Sequence, residues 1–322
     1  MAGYLTDISG IKVGHFTSTV RPTGCTVIVV EKGATAGVDV RGGAPGTRET
    51  DLLNPVNTVQ MVHAIALSGG SAFGLDTASG VMRYLEEKDI GFDTKVARIP
   101  IVPAAVIFDL QIGDSSLRPS AADGYEAAKN AQTGAFAVGN VGAGTGATVG
   151  KLFGPERATR GGLGTASISL GNLIIAALVV VNAAGDIIDP QTGSCIAGAR
   201  SDEGDTLLDI MAALKKGHRP SIFAVQNTTL GVVATNARLT KPEATKLASM
   251  SHAGLSRTIN PVHTPLDGDT IFALSTGDYP EHVDMVTLGA LAADVMASAV
   301  LNAIQAATSY QSIPAAADLI KI

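Results

Sequence analysis

The chain has 322 residues, of which 46% are hydrophobic and 16% charged, and its formal net charge is -6. This length accommodates two average domains or one large layered domain, and the hydrophobic content suffices for an extensive core. Because the chain is acidic and its Lys and Arg residues are scattered, it lacks the basic surface that binds a phosphate backbone, and we expect no nucleic-acid partner.

Runs of β-branched residues alternate with helical patterns along the chain. Strands are predicted at 26–31, 104–108, 174–181, 222–225, 231–235 and 271–274. Helices are predicted at 58–67, 75–87, 121–131, 206–216, 242–255 and 287–307. Thr240-Lys-Pro-Glu243 combines a capping box with a proline in the first turn, which marks the start of one helix.

Several predicted strands are almost entirely apolar, which indicates that both of their faces are covered. Such strands pack sheet against sheet, with helices outside. The pattern therefore predicts an α/β protein with an αββα four-layer sandwich. Since the sequence shows no repeat of fixed period and no long low-complexity linker, we expect a single domain over residues 1–322.

The Cys and His positions do not have the spacing of a metal site. Cys25 and Cys195 lie far apart in sequence, and no pair of histidines has the H-x-x-x-H spacing of a zinc site. Asp267-Gly-Asp269 lacks the remaining ligands of a calcium loop. We therefore expect neither a metal nor another cofactor.

The most apolar long segment, residues 285–307, is interrupted by Asp294, Ser298, Asn302 and Gln305. So many polar groups favour a buried or interface helix over a membrane span. The chain begins MAGYLTDISGIKVGH, without a basic stretch followed by an apolar one, so no secretory signal is predicted. A cytoplasmic protein without a membrane partner is the expectation.

The glycine-rich stretch 139–151 resembles nucleotide-binding loops only superficially. A P-loop requires Gly where Thr145 stands and Ser or Thr where Leu152 stands. No acidic residue follows at the distance that a dinucleotide-binding fold requires. A loop that permits close backbone packing is the better interpretation. Lys151, a lone cation among small residues, would either extend to solvent or set the electrostatic field of a site.

Two other segments each allow two interpretations. The backbone N–H groups of Gly69, Gly70 and Ser71 could face a substrate or an oxyanion, or the segment could be a tight turn. Residues 38–48 could be a substrate-site loop or a turn after a strand.

In Ser221-Ile-Phe-Ala-Val-Gln-Asn-Thr-Thr-Leu-Gly-Val-Val-Ala-Thr-Asn236, a polar step separates two apolar runs. Thr228 would stand at the head of the second run. A hydroxyl group at the start of a buried strand is where an N-terminal nucleophile would lie, because the strand holds it rigidly. The alternative is a hairpin turn with Asn227 in a left-handed conformation.

At this point the sequence resembles a family of self-processing N-terminal nucleophile hydrolases. The family includes L-aminopeptidase/D-esterase, the β-peptidyl aminopeptidases and the 6-aminohexanoate (nylon) oligomer hydrolase, and the resemblance is strongest to the last. The residues that carry it, in order along the chain, are Thr6–His15, Val38–Gly46, Ser68–Leu75, Asn227-Thr-Thr229 and His263–Thr270.

The resemblance implies an aminopeptidase/D-esterase-like fold and a precursor that cuts itself between Asn227 and Thr228. The products would be a large fragment, 1–227, and a small fragment, 228–322. Thr228 would attack the carbonyl of Asn227, and water would then release the Asn227 carboxylate. The freed α-amine, with an ordinary pKa of about 7.7–8.0, could then accept the proton of the Thr228 hydroxyl.

The resemblance also implies roles for four other residues. Lys151 matches a lysine near the nucleophile, and its ammonium would favour the neutral, basic form of the Thr228 amine. Asn182 matches a site asparagine whose carboxamide would stabilise the oxyanion. Asp267 and Asp269 match an acidic pair that would orient the Thr228 amine or bind a substrate ammonium. Phe108 stands where the aminopeptidase branch has a tyrosine, a departure from strict aminopeptidase specificity.

The leading hypothesis is a threonine hydrolase that cleaves amide bonds in peptides or in oligomers of β- and ω-amino acids. One alternative is an aminopeptidase that releases N-terminal residues. Another is an uncleaved binding homologue in which Thr228 is only a turn residue, and acyltransferase chemistry is a related option. The resemblance and the apolar C-terminal helix predict a homo-oligomer, with a tetramer expected.

Overall fold

The computed structural model describes residues 1–221 and 227–319. In these ranges the strands are β1 (Lys12–Thr17), β2 (Gly24–Val40), β3 (Thr47–Arg48), β4 (Met61–Ser68), β5 (Phe92–Asp93), β6 (Arg98–Ile99), β7 (Ala104–Val106), β8 (Thr148–Val149), β9 (Thr159–Arg160), β10 (Gly162–Leu170), β11 (Leu173–Asn182), β12 (Asp186–Ile188), β13 (Cys195–Ala197), β14 (Thr228–Thr235), β15 (Ile259–Asn260) and β16 (Thr270–Ser275). The helices are α1 (Thr77–Glu87), α2 (Ala121–Lys129), α3 (Ile210–Lys215), α4 (Lys241–Thr258), α5 (Met285–Gln305) and α6 (Ala316–Leu319).

One large mixed sheet organises the described residues, in the order β10-β11-β14-β16-β2-β4-β7-β3, with β1 paired to β2. The pairs β14–β16 and β4–β7 are parallel, and the other pairs of this sheet are antiparallel. The long strand β2 pairs with both β4 and β16. Cys25–Val29 and, after a register shift, Ala34–Thr35 pair with β4, while Thr35–Val40 pairs with β16.

The two halves of this sheet pack face to face, and β2 is the strand that continues from one half to the other. Between them lies an apolar cluster that includes Ile28, Ile65, Leu178, Leu230 and Phe272. Helices α4 and α5 cover the outer face of β11, β14 and β16, and α1 and α2 cover the outer face of β2 and β4. The αββα order predicted from the apolar strands is confirmed, although one continuous sheet forms both inner layers.

The predicted helix at 58–67 is wrong, because residues 61–68 form the strand β4. Val62, Ile65 and Leu67 face the inner cluster, while Ala64 and Ala66 face α1 and α2. Both faces of β4 are therefore apolar, and a short apolar run of this kind has no periodicity that separates strand from helix. The predicted strand at 222–225 lies outside the described residues.

The two long C-terminal helices agree with prediction. In α4, the backbone N–H of Thr240 donates to Glu243 Oε2 at 2.8 Å, as the capping box requires. Helix α5 is long and apolar enough, by length and composition, to cross a membrane, yet 61% of its most apolar 18-residue window is buried inside the protein. It packs on α4, β10 and β11, as expected of a buried helix.

Candidate active site

Thr228 is the first residue of β14 and is 4% exposed. Its strand lies between β11 and β16, and every residue from Thr228 to Thr235 is buried. The Thr228 Oγ1 hydroxyl donates to the carbonyl oxygen of Asn227 at 2.5 Å. The buried strand thus holds the predicted nucleophile against the peptide bond at which cleavage is predicted.

Backbone hydrogen bonds to the 266–268 segment hold both the N–H and the carbonyl group of Asn227. Its N–H donates to the carbonyl of Leu266 at 2.9 Å, and its carbonyl accepts from the N–H of Gly268 at 2.7 Å. A Cβ atom on Gly268 would lie 2.6 Å from Thr228 Oγ1. Glycine therefore lets the 267–269 loop approach the hydroxyl and the carbonyl together.

Asn182 and Lys151 meet beside the nucleophile. Asn182 ends β11 and is the register partner of Thr228. The Lys151 Nζ group donates to Asn182 Oδ1 at 2.7 Å, while Asn182 Nδ2 donates to the carbonyl of Phe108 at 3.2 Å. These bonds set the orientation of the carboxamide and engage one of its two N–H donors.

Burial controls the charges at this site. Lys151 is 3% exposed, and its burial lowers its pKa to about 7, although Asp267 and Asp109 act in the opposite direction. Burial, followed by the neighbouring Asp269, raises the pKa of Asp267. Lys151 carries its full charge only below about pH 7, so the field expected from its ammonium weakens as pH rises through neutrality.

Asp267 and Asp269 are neighbours with different contacts. Asp269 accepts from the N–H of Thr229 at 2.7 Å through Oδ1, and from His263 N and Nδ1 at 3.1 and 2.8 Å through Oδ2. Asp267 Oδ2 accepts from Thr264 N at 2.8 Å and Thr264 Oγ1 at 2.5 Å. Asp269 thus anchors the residue directly after Thr228 from inside the protein.

The backbone donors of the 69–71 segment are already engaged. The N–H groups of Gly69, Gly70 and Ser71 donate to Gly24 O, Asp109 Oδ1 and Ile107 O at 2.9, 2.9 and 3.0 Å. The turn interpretation fits these contacts, whereas the oxyanion interpretation requires free N–H groups. Of the three residues, Ser71 lies at the cavity beside Thr228.

A small cavity of about 120 Å³ opens onto Thr228. Its other lining residues are neutral: Ala44, Pro45, Gly46, Ser71, Ala72, Val106, Ile107 and Phe108. The segment 38–48 therefore contributes to the cavity, which supports its interpretation as a substrate-site loop. A larger cavity of about 600 Å³ lies near Met1–Tyr4 and Asn302, and Thr228 does not line it.

The sequence offered no signal for Asp109, which immediately follows Phe108. Asp109 is 3% exposed and forms an ion pair with Arg21, whose Nη2 lies 2.9 Å from Asp109 Oδ1. Thr23 Oγ1 donates to Asp109 Oδ2 at 2.6 Å. Because Gly70 N–H also donates to Asp109, this carboxylate joins the 69–71 segment to the chain that carries Phe108.

In the part of the chain that the structure describes, no three His, Cys, Asp or Glu residues are grouped in a way that could hold a metal ion. His263 and Asp269 instead belong to a contact chain that the sequence did not predict. The ring of His263 packs edge-on against that of His252, with a centroid distance of 4.8 Å.

The sequence matches peptidase family S58 over residues 3–316. The chain belongs to this family. An uncharacterized aminopeptidase of Mycobacterium leprae is 43% identical over 345 aligned residues, which cover 96% of this chain and 92% of the relative. A 6-aminohexanoate-oligomer endohydrolase of Kocuria sp. (strain KY2) is 34% identical over 311 residues, which cover 92% and 84%.

The solved structure of the L-aminopeptidase D-Ala-esterase/amidase from Ochrobactrum anthropi matches with a TM-score of 0.70 at 20% identity, covering 97% of this chain and 90% of that one. That enzyme has a new variant of the Ntn-hydrolase fold. This family S58 chain therefore has the aminopeptidase/D-esterase variant of that fold, and the family and its hydrolase relatives make it an amide hydrolase. The chain is more similar in sequence to the mycobacterial aminopeptidase than to the oligomer hydrolase. The expectation that the oligomer hydrolase is the most similar of these relatives is therefore wrong.

Proposed function

We propose that this protein cuts its own chain between Asn227 and Thr228 and then uses the freed Thr228 to hydrolyse amide bonds. The observation that carries the proposal is the 2.5 Å contact between Thr228 Oγ1 and the Asn227 carbonyl oxygen. That same oxygen accepts from Gly268 N–H at 2.7 Å. A hydroxyl and an N–H donor thus meet at one carbonyl group.

In the first step, Thr228 Oγ1 bonds to the carbonyl carbon of Asn227 and its proton passes to the leaving nitrogen. The C–N bond breaks, and an ester joins the two residues. Negative charge develops on the carbonyl oxygen during the attack, and the Gly268 N–H is placed to stabilise it. Water then hydrolyses the ester, leaving a carboxylate on Asn227 and an α-amine on Thr228.

The freed amine is the base in the second reaction. Its ordinary pKa of about 7.7–8.0 suits it to accept the Thr228 hydroxyl proton near neutral pH. Asn182 Nδ2 donates one N–H to the carbonyl of Phe108, and the proposed mechanism assigns its second N–H to the substrate oxyanion. The charged form of Lys151 would keep the amine of Thr228 unprotonated.

The cavity beside Thr228 supports a proposal for the substrate class. Its neutral lining favours an uncharged acyl group, since an ammonium buried without a partner is costly. Asp267 and Asp269 already accept internal N–H or O–H groups. We therefore favour internal amide bonds of peptides or of β- and ω-amino acid oligomers. Release of N-terminal residues is the second candidate, favoured by the 43% identity to a protein named as an aminopeptidase.

Intact mass spectrometry of the purified protein, combined with turnover of α-, β- and ω-amino amides, tests the proposal. Thr228→Ala should abolish processing and turnover, and Thr228→Ser should retain part of both. Thr229→Val is the matched control, because the buried Thr229 hydroxyl has no hydrogen-bond partner among the described residues. A fully active preparation that contains only the uncut chain would overturn the mechanism.

A further inference from the structure

Arg160 is a buried cation away from the proposed active site. It ends β9, where it pairs with Thr148 of β8, and it is 2% exposed. Its Nη2 donates to the carbonyl of Thr145 at 2.5 Å. Among the described residues, however, its buried Nε and Nη1 atoms have no hydrogen-bond partner.

Arg21 lines the same cavity as Arg160 and provides an internal comparison. It is equally buried, at 2% exposed. All three of its guanidinium nitrogens donate, to acceptors on Ile112, Leu117 and Asp109. Among the described residues, one buried guanidinium is therefore fully hydrogen-bonded, and the neighbouring one has two nitrogen donors without a partner.

Unpaired donors on a buried charge are costly, and native proteins normally satisfy them with a protein group, a water molecule or an ion. The Tyr310 ring lies 5.7 Å from Arg160 and supplies a weak cation–π contact. Burial lowers the pKa of Arg160 to about 10, which leaves the guanidinium charged at neutral pH. The missing partner is therefore expected to be an acceptor, and a negative one is favoured.

The cavity that Arg160 lines has a volume of about 230 Å³ and shares no lining residue with the cavity at Thr228. None of the described residues that line it is acidic. Six of them carry hydroxyl groups, but Thr145, Thr308 and Ser309 already donate to Gly142 O, Asn140 Oδ1 and Asp318 Oδ2. Among the described residues, the hydroxyls of Ser18, Thr19 and Tyr310 donate no hydrogen bond and are available to a ligand. A cationic, hydroxyl-rich cavity of this size suits an oxyanion, whose several oxygens accept hydrogen bonds from guanidinium and hydroxyl groups.

We propose that this cavity is a binding site for a small oxyanion, a phosphate or carboxylate group held beside the Arg160 guanidinium. The ligand would supply the negative charge that Asp109 supplies to Arg21. The site is independent of the Thr228 chemistry, so its test needs no substrate turnover.

Isothermal titration of the purified full-length protein with inorganic phosphate and with acetate, against chloride at equal ionic strength, tests the proposal. The phosphate and acetate arms distinguish the two sources of the anion. Saturable binding of either is expected, weakened at least about tenfold in Arg160→Gln because a charge-assisted hydrogen bond is lost. Arg238→Gln is the control, since Arg238 is exposed and lies outside the cavity.

A second variant keeps the test decisive if Arg160→Gln does not fold. Thr19 is exposed at the rim of the cavity, so Thr19→Glu would place a carboxylate there and compete with the added anion. Loss of binding in this folded variant would support the site. The proposal is overturned if neither anion binds the wild-type protein, or if binding is the same in the wild type and in the folded cavity variants.

Discussion

The Nζ group of Lys151 lies 2.7 Å from Oδ1 of Asn182, the residue that pairs across the sheet with Thr228. The Asn182 carboxamide therefore connects the ammonium group of Lys151 to β14, the strand that begins with Thr228. Since both residues are buried, we expect protein stability and, under the proposed mechanism, amide hydrolysis to depend on the titration of Lys151.

Replacing Lys151 should change how stability depends on pH. Burial lowers the pKa of Lys151 to about 7, against about 10.5 in an unfolded chain. Between these values the unfolded chain binds a proton that the folded chain has released, so the stability of the wild type rises with pH in this window. Lys151→Met should therefore stabilise most below about pH 7, and its advantage should shrink towards pH 10.5.

Thermal unfolding measured from pH 6 to 10 in a Thr228→Ala background, in which we expect the chain to stay whole, would show this convergence. Lys216→Met, at an exposed lysine, should show no comparable trend. A pH-independent difference between Lys151→Met and its parent would contradict the assigned burial effect.

Asp269→Asn should slow self-cleavage. The carboxylate accepts from Thr229 N–H and from His263, and loss of a charge-assisted hydrogen bond of this kind costs about 1.5–3 kcal/mol. If that support is needed in the transition state, the appearance of the two fragments should slow by roughly 10- to 100-fold. Time-resolved gels of freshly synthesised chains measure this rate. Asp278→Asn, at an exposed aspartate, is the control, and an unchanged rate in Asp269→Asn would refute the anchoring role.

Gly268→Ala should impair self-cleavage while leaving every reacting group in place. The added Cβ would stand 2.6 Å from Thr228 Oγ1 and 2.8 Å from the carbonyl oxygen of Ala44, too close for either contact. Relief of the clash must displace the hydroxyl or the loop whose N–H meets the Asn227 carbonyl. Processing at the wild-type rate, in a variant whose circular dichroism is unchanged, would show that this close approach is unimportant.

The two predicted fragments, 1–227 and 228–322, should remain associated after cleavage. Strand β14 of the small fragment pairs with β11 along Ile175–Asn182, and β16 pairs with β2 along Thr35–Val40. Both ladders join one fragment to the other and enclose shared apolar clusters. Native size exclusion should give one peak that denaturing gels resolve into pieces of roughly 23 and 10 kDa, from average residue masses. Two separate native peaks would contradict this.

Predictions made from a short stretch of sequence agree with the structure where interactions between residues close in sequence determine the secondary structure. The capping box at Thr240 marked the start of α4 because its hydrogen bonds join residues three apart. The strand predicted at 231–235 lies within the buried strand β14, and all of its residues except Thr235 are apolar or small. The helix predicted at 58–67 is wrong, since this short apolar run forms the strand β4 through pairing with β2 and β7, which are distant in sequence or follow it.

By itself, the sequence determined the family, the layered α/β class and the position of the Asn-Thr step at the head of a buried strand. Only the tertiary structure placed Gly268 N–H on the Asn227 carbonyl, Lys151 on Asn182 and Asp109 between Arg21 and the 69–71 segment. All of these contacts join groups that lie 31 to 88 residues apart in the sequence. The helix or strand propensity of a short segment carries no information about such partners. Hydrogen bonding and desolvation depend on which groups are close in space, and the folded chain decides that.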